Sequence, residues 1–464
     1  MDSNEFFKLL ENTKDELTLT NKKIDVGNNR IIDFFIRNNL QDVQFKECTF
    51  INSDLLFKSI NGPLLSIEFY DCVFLCDVLF YDGCNLDTLK FINCEIAPDK
   101  QIRIINNKIK FFTFSYGKEI ELNGIVFISK NRFVHNINIA SIQQKHGSFV
   151  FLDNTIQREE GDPPLSSYIS DSNFNNFNFY GNTFKEDLFF ERISLKSPEI
   201  QDNFSNCIFS EISFTNVDFG NKTVFKECTF NEEVFFIDCK NINNSKFSLP
   251  DSLFKKKAKF NGSEFSTIKL INTIFEGSVS FENVSCNVIE IDQAVFEKAA
   301  FFDDFKVLSP ENCSRKSLRI IKHQLQKSDN RIDYNRFKIY ELDAFKRELH
   351  NKEWKDKFIL WLNNISSKHG TDWVQGIKFT VIIGFLFYSL YFPLEFYSYD
   401  FEFSLESINK FFSGYFKYLI PSYKSPFGES ALSNVFQIIA FIFGKAFIGY
   451  GIYQTIQSFR KFRL

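Results

Sequence analysis

The sequence predicts a mainly β chain, a parallel β-helix (solenoid) followed by a helical neck and two transmembrane helices. Three observations carry this prediction. Apolar residues recur five apart over residues 42–305, and most of them are Phe, present 62 times in 464 residues. These units recur in turn about every 21 residues, as Phe69 does at Phe91, Phe204 at Phe225 and Phe260 at Phe281. Two long apolar stretches, 377–397 and 435–453, lie near the C-terminus.

The hexapeptide Phe45-Lys-Glu-Cys-Thr-Phe50 is written again as Phe225-Lys-Glu-Cys-Thr-Phe230. Phe69-Tyr-Asp-Cys-Val-Phe74, Phe91-Ile-Asn-Cys-Glu-Ile96, Phe204-Ser-Asn-Cys-Ile-Phe209 and Phe214-Thr-Asn-Val-Asp-Phe219 share its form. A five-residue spacing fits neither a helical face nor an alternating strand. It fits a chain that turns a corner every few residues, and a coil of about 20 residues stacked on the next is a parallel β-helix. Inward Phe residues then stack in columns. Asn93, Asn206 and Asn216 share the slot two after the first aromatic, which reads as a corner, since Asn tolerates tight backbone and can bond along a ladder. Cys48, Cys72, Cys94, Cys207 and Cys228 share the next slot, where regularity argues for packing rather than chemistry. The ten cysteines include no CxxC pair. The start Met1-Asp-Ser-Asn-Glu lacks a basic region and an apolar core, so no cleaved signal is read there. A reduced cytoplasmic setting follows, against the alternative of a disulfide framework. The net charge of −4 gives no basic field, and no nucleic-acid partner is expected.

The five-residue lattice resembles the pentapeptide-repeat family, with Phe-centred units largely replacing that family's Ala-Asp/Asn-Leu pattern. The resemblance implies a right-handed quadrilateral β-helix over residues 42–308. The loop Gln157-Arg-Glu-Glu-Gly-Asp-Pro-Pro164 interrupts it. Lys255, Lys256 and Lys257 read as a solvated edge. Residues 1–41 read as an N-terminal cap, with a helix over Asn4–Asn12 covering the open end.

Periodicity changes after Pro310. Leu318, Ile321 and Leu325 stand at helical spacing, and residues 309–370 read as a helical neck. Its second helix starts at Ile332 and continues through Trp354, Phe358 and Trp361, forming a hairpin on the last rung. Segments around Ile320, Tyr334 and Glu341 resemble the neck of membrane-attached pentapeptide-repeat proteins. Residues 371–464 read as a two-pass domain. Both apolar stretches have the roughly 20 residues needed to cross hydrocarbon. Two buried core helices are the alternative reading. Lys352, Lys355, Lys357 and Lys368 before the first span, and Arg460 to Arg463 after the second, predict both termini and the β-helix on the cytoplasmic side of a cell inner (plasma) membrane. The connector, 398–432, contains Phe411 to Pro421, which reads as an amphipathic or re-entrant helix. The order of span, re-entrant segment and span is similar to two-pass ion channels, without a TVGYG filter.

Lys445 stands out, because a charge within a span is costly and usually faces a pore, a partner or water. Asn434, Gln437, Lys445 and Thr455 fall on one broad face of the second span and are the candidate pore-lining residues. Ala440 and Gly444 form a small-xxx-small pair, with Gly449 and Gly451 as further close-packing positions. A snorkelling lysine on a plain anchor is the bland alternative. His135, His146, His323, His350 and His369 show no metal-ligand spacing, and no catalytic motif is found, so neither an enzyme nor a cofactor is expected. Three functions compete. The first is a homo-oligomeric channel or pore-forming effector in the bilayer, with the β-helix as sensor. The second is a membrane-tethered scaffold offering the β-helix to a protein partner. The third, implied by some members of the resembled family, is a duplex-DNA mimic; the mild net charge argues against it.

Overall fold

A computed structural model of the chain describes residues 1–13, 15–25, 40–58, 60, 65–117, 120–196, 203–350, 353–395, 404–421, 425 and 435–460. The chain divides into two compact units, Met1–Ile320 and Ile321–Leu464.

The first unit is a parallel β-solenoid of about 11 turns. Each turn presents four inward apolar residues about five apart. Phe204, Phe209, Phe214 and Phe219 do this in one turn, and all four are fully buried. The next turn repeats the pattern one rung on: Phe204 pairs in register with Phe225, Phe209 with Phe230 and Phe214 with Phe236. The rings follow the backbone. Phe204 and Phe225 are 4.4 Å apart at 6°, and Phe214 and Phe236 are 4.9 Å apart at 6°. That separation is close to the strand spacing of a β-sheet, so a Phe column stacks without distorting the ladder. Burying each ring contributes about 1.5–3 kcal/mol.

Corners are made where the sequence places Asn, Asp or Glu. Asn93, Asn206 and Asn216 have φ of 55°, 51° and 55°, and Glu47 and Glu227 have 55° and 53°. This is the left-handed region, where Asn and Asp are accommodated far better than β-branched residues. The two copies of the hexapeptide therefore make the same kind of corner on different faces. Phe45 pairs with Phe69 in one column, whereas Phe225 belongs to the column of Phe204.

At many corners the slot that follows is buried and points a hydrogen-bonding group at the rung behind it. Cys84, Asn107, Asn131, Asn154, Asn182, Cys207, Cys228, Ser252 and Thr273 form one such column. Their side chains donate to the carbonyl oxygens of Phe57, Phe80, Ile104, Ile128, Phe151, Phe179, Phe204, Phe225 and Leu249 in turn. The four consecutive Asn residues are also linked to each other, with Asn131 Nδ2 3.0 Å from Asn154 Oδ1 and Asn154 Nδ2 3.1 Å from Asn182 Oδ1. The cysteines thus serve packing and weak donation. All ten are buried, and none forms a disulfide among the described residues. Burial pushes the thiols of Cys76 and Cys239 up to about 12, far from thiolate reactivity.

The coil begins earlier than the Phe lattice indicates. Asp15–Thr20 and Lys23–Asp25, inside the region read as a cap, already pair with Leu40–Lys46 and Thr49–Ile51. Those first strands lack Phe, so spacing alone does not reveal them. The helix α1 (Ser3–Asn12) lies ahead of this turn and brings Phe6, 1% exposed, to 6.2 Å from Phe45. At the other end, Cys313 Sγ and Ser317 Oγ accept from the backbone N–H groups of Ile289 and Ile291. Both ends of the coil thus gain partners for an otherwise open edge.

α2 (Arg315–Lys327) carries the chain into the second unit, where α3 (Arg331–Glu348), α4 (Trp354–Ser367), α5 (Trp373–Glu395), α6 (Leu405–Leu419) and α7 (Val435–Arg460) follow. The expected continuous helix from Ile332 through Trp361 is corrected: α3 stops at an extended Leu349, ψ 132°, and α4 is separate. Apolar residues continue at helical spacing across a break that no Pro or Gly marks, so the sequence pattern alone does not show it.

Candidate functional site

α5 and α7 form an antiparallel pair. Trp373 stacks on Phe459 at 5.3 Å, Phe379 meets Tyr450 at 6.1 Å, Phe387 stacks on Phe447 at 5.6 Å and Tyr391 meets Phe441 at 5.9 Å. Small residues let the backbones approach. A Cβ on Gly444 would overlap the Tyr418 hydroxyl, and one on Gly451 would overlap the Thr380 hydroxyl. The matching stripe on α5, Gly376, Thr380 and Gly384 at four-residue spacing, is the sequence signal for this approach and is absent from the expectations above. Gly449 instead faces open space, and Ala440 offers its carbonyl oxygen to the Tyr418 hydroxyl at 3.3 Å.

α6 folds back along this pair. Tyr388 OH donates to Phe411 O at 3.0 Å, and Tyr415 OH donates to Val381 O at 2.8 Å. The tyrosines stay apolar along their rings and spend their hydroxyls on backbone. Phe411 lies 4.9 Å from Phe392, near the end of α5, whereas Leu419 lies against Gly384, near the middle of that 23-residue helix. α6 therefore runs against the direction of α5 and ends at mid-length of the pair.

Lys445 meets it there. Lys445 Nζ donates to Tyr418 O and to Ile420 O, both at 2.6 Å, and sits 4.9 Å above the Tyr418 ring and 5.5 Å above the Phe441 ring. The last carbonyls of a helix lack partners within it and carry the negative end of the macrodipole. An ammonium at that end, held over two aromatic faces, satisfies both.

The face of α7 that bears Lys445 is turned toward α5 and α6. Gln437 is 1% exposed, Phe441 5% and Ile448 fully buried. Thr455 is half-buried and returns its hydroxyl to Gly451 O in its own helix at 2.9 Å. Asn434 lies outside the described residues. Within one chain the predicted polar stripe is thus an internal seam rather than an outer wall. Tyr388, Tyr415 and Tyr418, which complete the seam, were not singled out from sequence.

The opposite faces are apolar and open. Ile382 is 63% exposed, Leu390 55%, Ile442 58% and Phe416 64%. Over the most apolar 18 residues within Trp373–Pro393 and Val435–Arg460 only 33% and 28% are buried, although both helices are long and apolar enough to cross a membrane. A core helix of a soluble protein would be mostly buried.

No protein-family model matches the chain, and neither a curated protein nor a solved structure does.

Proposed function

We propose that this β-solenoid protein is inserted in a membrane by α5 and α7, and that several copies assemble into a channel. The observation that carries the reading is the re-entrant course of α6, whose C-terminal carbonyls end at mid-length of two apolar helices on the ammonium of Lys445. A plain anchor needs only a span. A helix that stops within the hydrocarbon leaves polar backbone ends, which are costly there unless partnered or beside water. Span, re-entrant helix and span is the order found in two-pass channels. The resemblance of the solenoid to pentapeptide repeats fits a soluble module coupled to such a domain.

In this reading Lys445 sets the position of α6, and the exposed flank of α6 at Phe412 and Phe416 meets a neighbouring copy. Lys355, Lys357 and Lys368 before α5, with the basic tail after α7, favour a cytoplasmic solenoid in a plasma membrane. Its buried thiols suit a reducing compartment. The test is ion flux from vesicles containing the purified full chain. The expected result is a conductance that Lys445→Leu alters. Silence of the protein under all conditions, with unchanged permeability of expressing cells, overturns the reading.

One observation favours a second reading, a tethered scaffold. Ile208, Thr229, Leu253, Ile274 and Val295 are successive outward residues of one face, in register. Ile208, Ile274 and Val295 are 42%, 38% and 47% exposed. As a scaffold the protein would tolerate Lys445→Leu and lose function with Ile274→Asp.

A further inference from the structure

We infer that α4 lies along the surface of an anionic bilayer, with its aromatic edge among the lipid headgroups. The inference rests on the reading that α5 and α7 span that bilayer.

α4 is amphipathic in an unusual sense: its polar edge faces protein and its apolar edge faces out. Asn363, Ser366 and Ser367 make the inner edge. The Tyr450 hydroxyl donates to Asn363 Oδ1, and Ser367 Oγ donates to Gln454 Oε1 at 2.8 Å. Gln454 Nε2 reaches Asn363 Oδ1 at 3.2 Å. Gln375, in the first turn of α5, donates to the carbonyl oxygens of Asn364 and Ile365 at 2.9 and 2.8 Å. These bonds fix α4 against the last turns of α7 and the first turn of α5, at one end of the pair.

Trp354, Phe358, Trp361 and Ile365 recur at i, i+4, i+7 and i+11 on the opposite edge. Trp354, Phe358 and Trp361 are 63%, 47% and 45% exposed. At about 100° per residue, Lys355 and Lys357 fall on either side of this stripe. An aromatic stripe between two lysines is the pattern of an interfacial helix: the rings enter the headgroup boundary and the ammonium groups reach anionic phosphates. The stripe is followed a few residues on by the exposed apolar base of the first span. After Lys368–Asp372 the chain enters α5 at Trp373, Val374 and Ile377, which are 43%, 41% and 44% exposed. Tryptophan is favoured where hydrocarbon meets water. A lipid surface therefore fits this edge better than a protein partner, because it covers α4 and the base of α5 as one belt.

The chain has three tryptophans, which makes the test direct. Full-length protein carrying Trp354→Phe and Trp373→Phe retains Trp361 alone; the companion carrying Trp354→Phe and Trp361→Phe retains Trp373. Each is placed in vesicles of equimolar phosphatidylcholine and phosphatidylglycerol. Lipids bearing a nitroxide near the headgroup should quench Trp361 several-fold more than lipids bearing it near the chain end, and aqueous iodide should quench it weakly. Adding Lys355→Glu and Lys357→Glu should raise iodide quenching of Trp361 in these vesicles. If iodide quenches Trp361 freely while Trp373 responds to lipid nitroxide, α4 is off the membrane and the inference fails with the spans intact. Shielding from iodide without lipid quenching assigns the edge to a protein contact and also overturns it. If Trp373 too is untouched by lipid quenchers and the protein does not float with vesicles, the spanning reading falls and takes the inference with it.

Discussion

The ammonium of Lys445 is 2.6 Å from the carbonyl oxygen of Tyr418, and the bond joins the middle of α7 to the end of α6. A second bond of equal length goes to Ile420 O. A residue that sequence marks as a lone charge in an apolar run thus works, in one chain, as a cap on the last carbonyls of α6, which an extended Ile420 and Pro421 bring to an end.

Removing that charge should free α6. Hydrogen bonds from a charged donor contribute about 1.5–3 kcal/mol each. Lys445→Met is expected to destabilise the α5–α6–α7 unit by about 2–3 kcal/mol, since it leaves carbonyl groups without their donor. Hydrogen exchange in detergent should show lost protection over Leu405–Leu419, while Lys445→Arg keeps most of it. Equal protection in Lys445→Met and the native chain would contradict the cap.

The Asn column makes a separate prediction in the solenoid. Asn131 accepts from the Asn107 backbone N–H at 2.9 Å and donates to Ile104 O at 2.7 Å. Asn131→Leu removes the partner of buried polar groups on the rung behind, at a cost of about 1–3 kcal/mol. Asn131→Cys should cost less, since Cys84, Cys207 and Cys228 occupy the same column. Chemical unfolding of the full chain measures both. A leucine variant as stable as the native protein would show that the ladder adds nothing beyond shape.

Much of the solenoid was legible because its two demands each leave letters in the chain. Inward stacking asks for Phe, and left-handed corners ask for Asn, Asp or Glu, so Phe204 to Phe219 reads directly as one turn. The hydrogen-bonding column was less visible. Asn107, Asn131, Asn154 and Asn182 look like turn residues, and nothing local distinguishes an Asn at the corner from one buried just after it. The membrane-like helices were legible from length and apolarity. The partner of Lys445 was not, because a backbone carbonyl has no letter of its own and the return of α6 depends on tertiary packing of tyrosines far apart in sequence.

His369 provides a pH test outside the spans. It is 6% exposed, with the Asp343 carboxylate 3.7 Å from Nε2. Burial holds its pKa below the ordinary value of 6.5; Asp343 opposes this, and the positive charges of Lys338 and Lys346 reinforce it. The folded chain therefore binds this proton more weakly than the unfolded chain. As pH falls below about 6.5 the unfolded state gains protons first, and stability declines until the lower folded value is passed. The decline is at most about 1.4 kcal/mol per pH unit. Melting temperatures of the solubilised chain should fall on acidification, and His369→Gln should fall less. Identical pH profiles for the two proteins would remove His369 from the account.

The central claim, that α5 and α7 both cross a bilayer and return the chain to the side it started from, is tested most directly by labelling intact cells. Single cysteines at Gln326, Ser404 and Arg460 are treated with a membrane-impermeant maleimide, with the buried native thiols as the silent background. The account predicts that Ser404→Cys is labelled from outside, and that Gln326→Cys and Arg460→Cys react only after permeabilisation. Labelling of all three from the same side would contradict it.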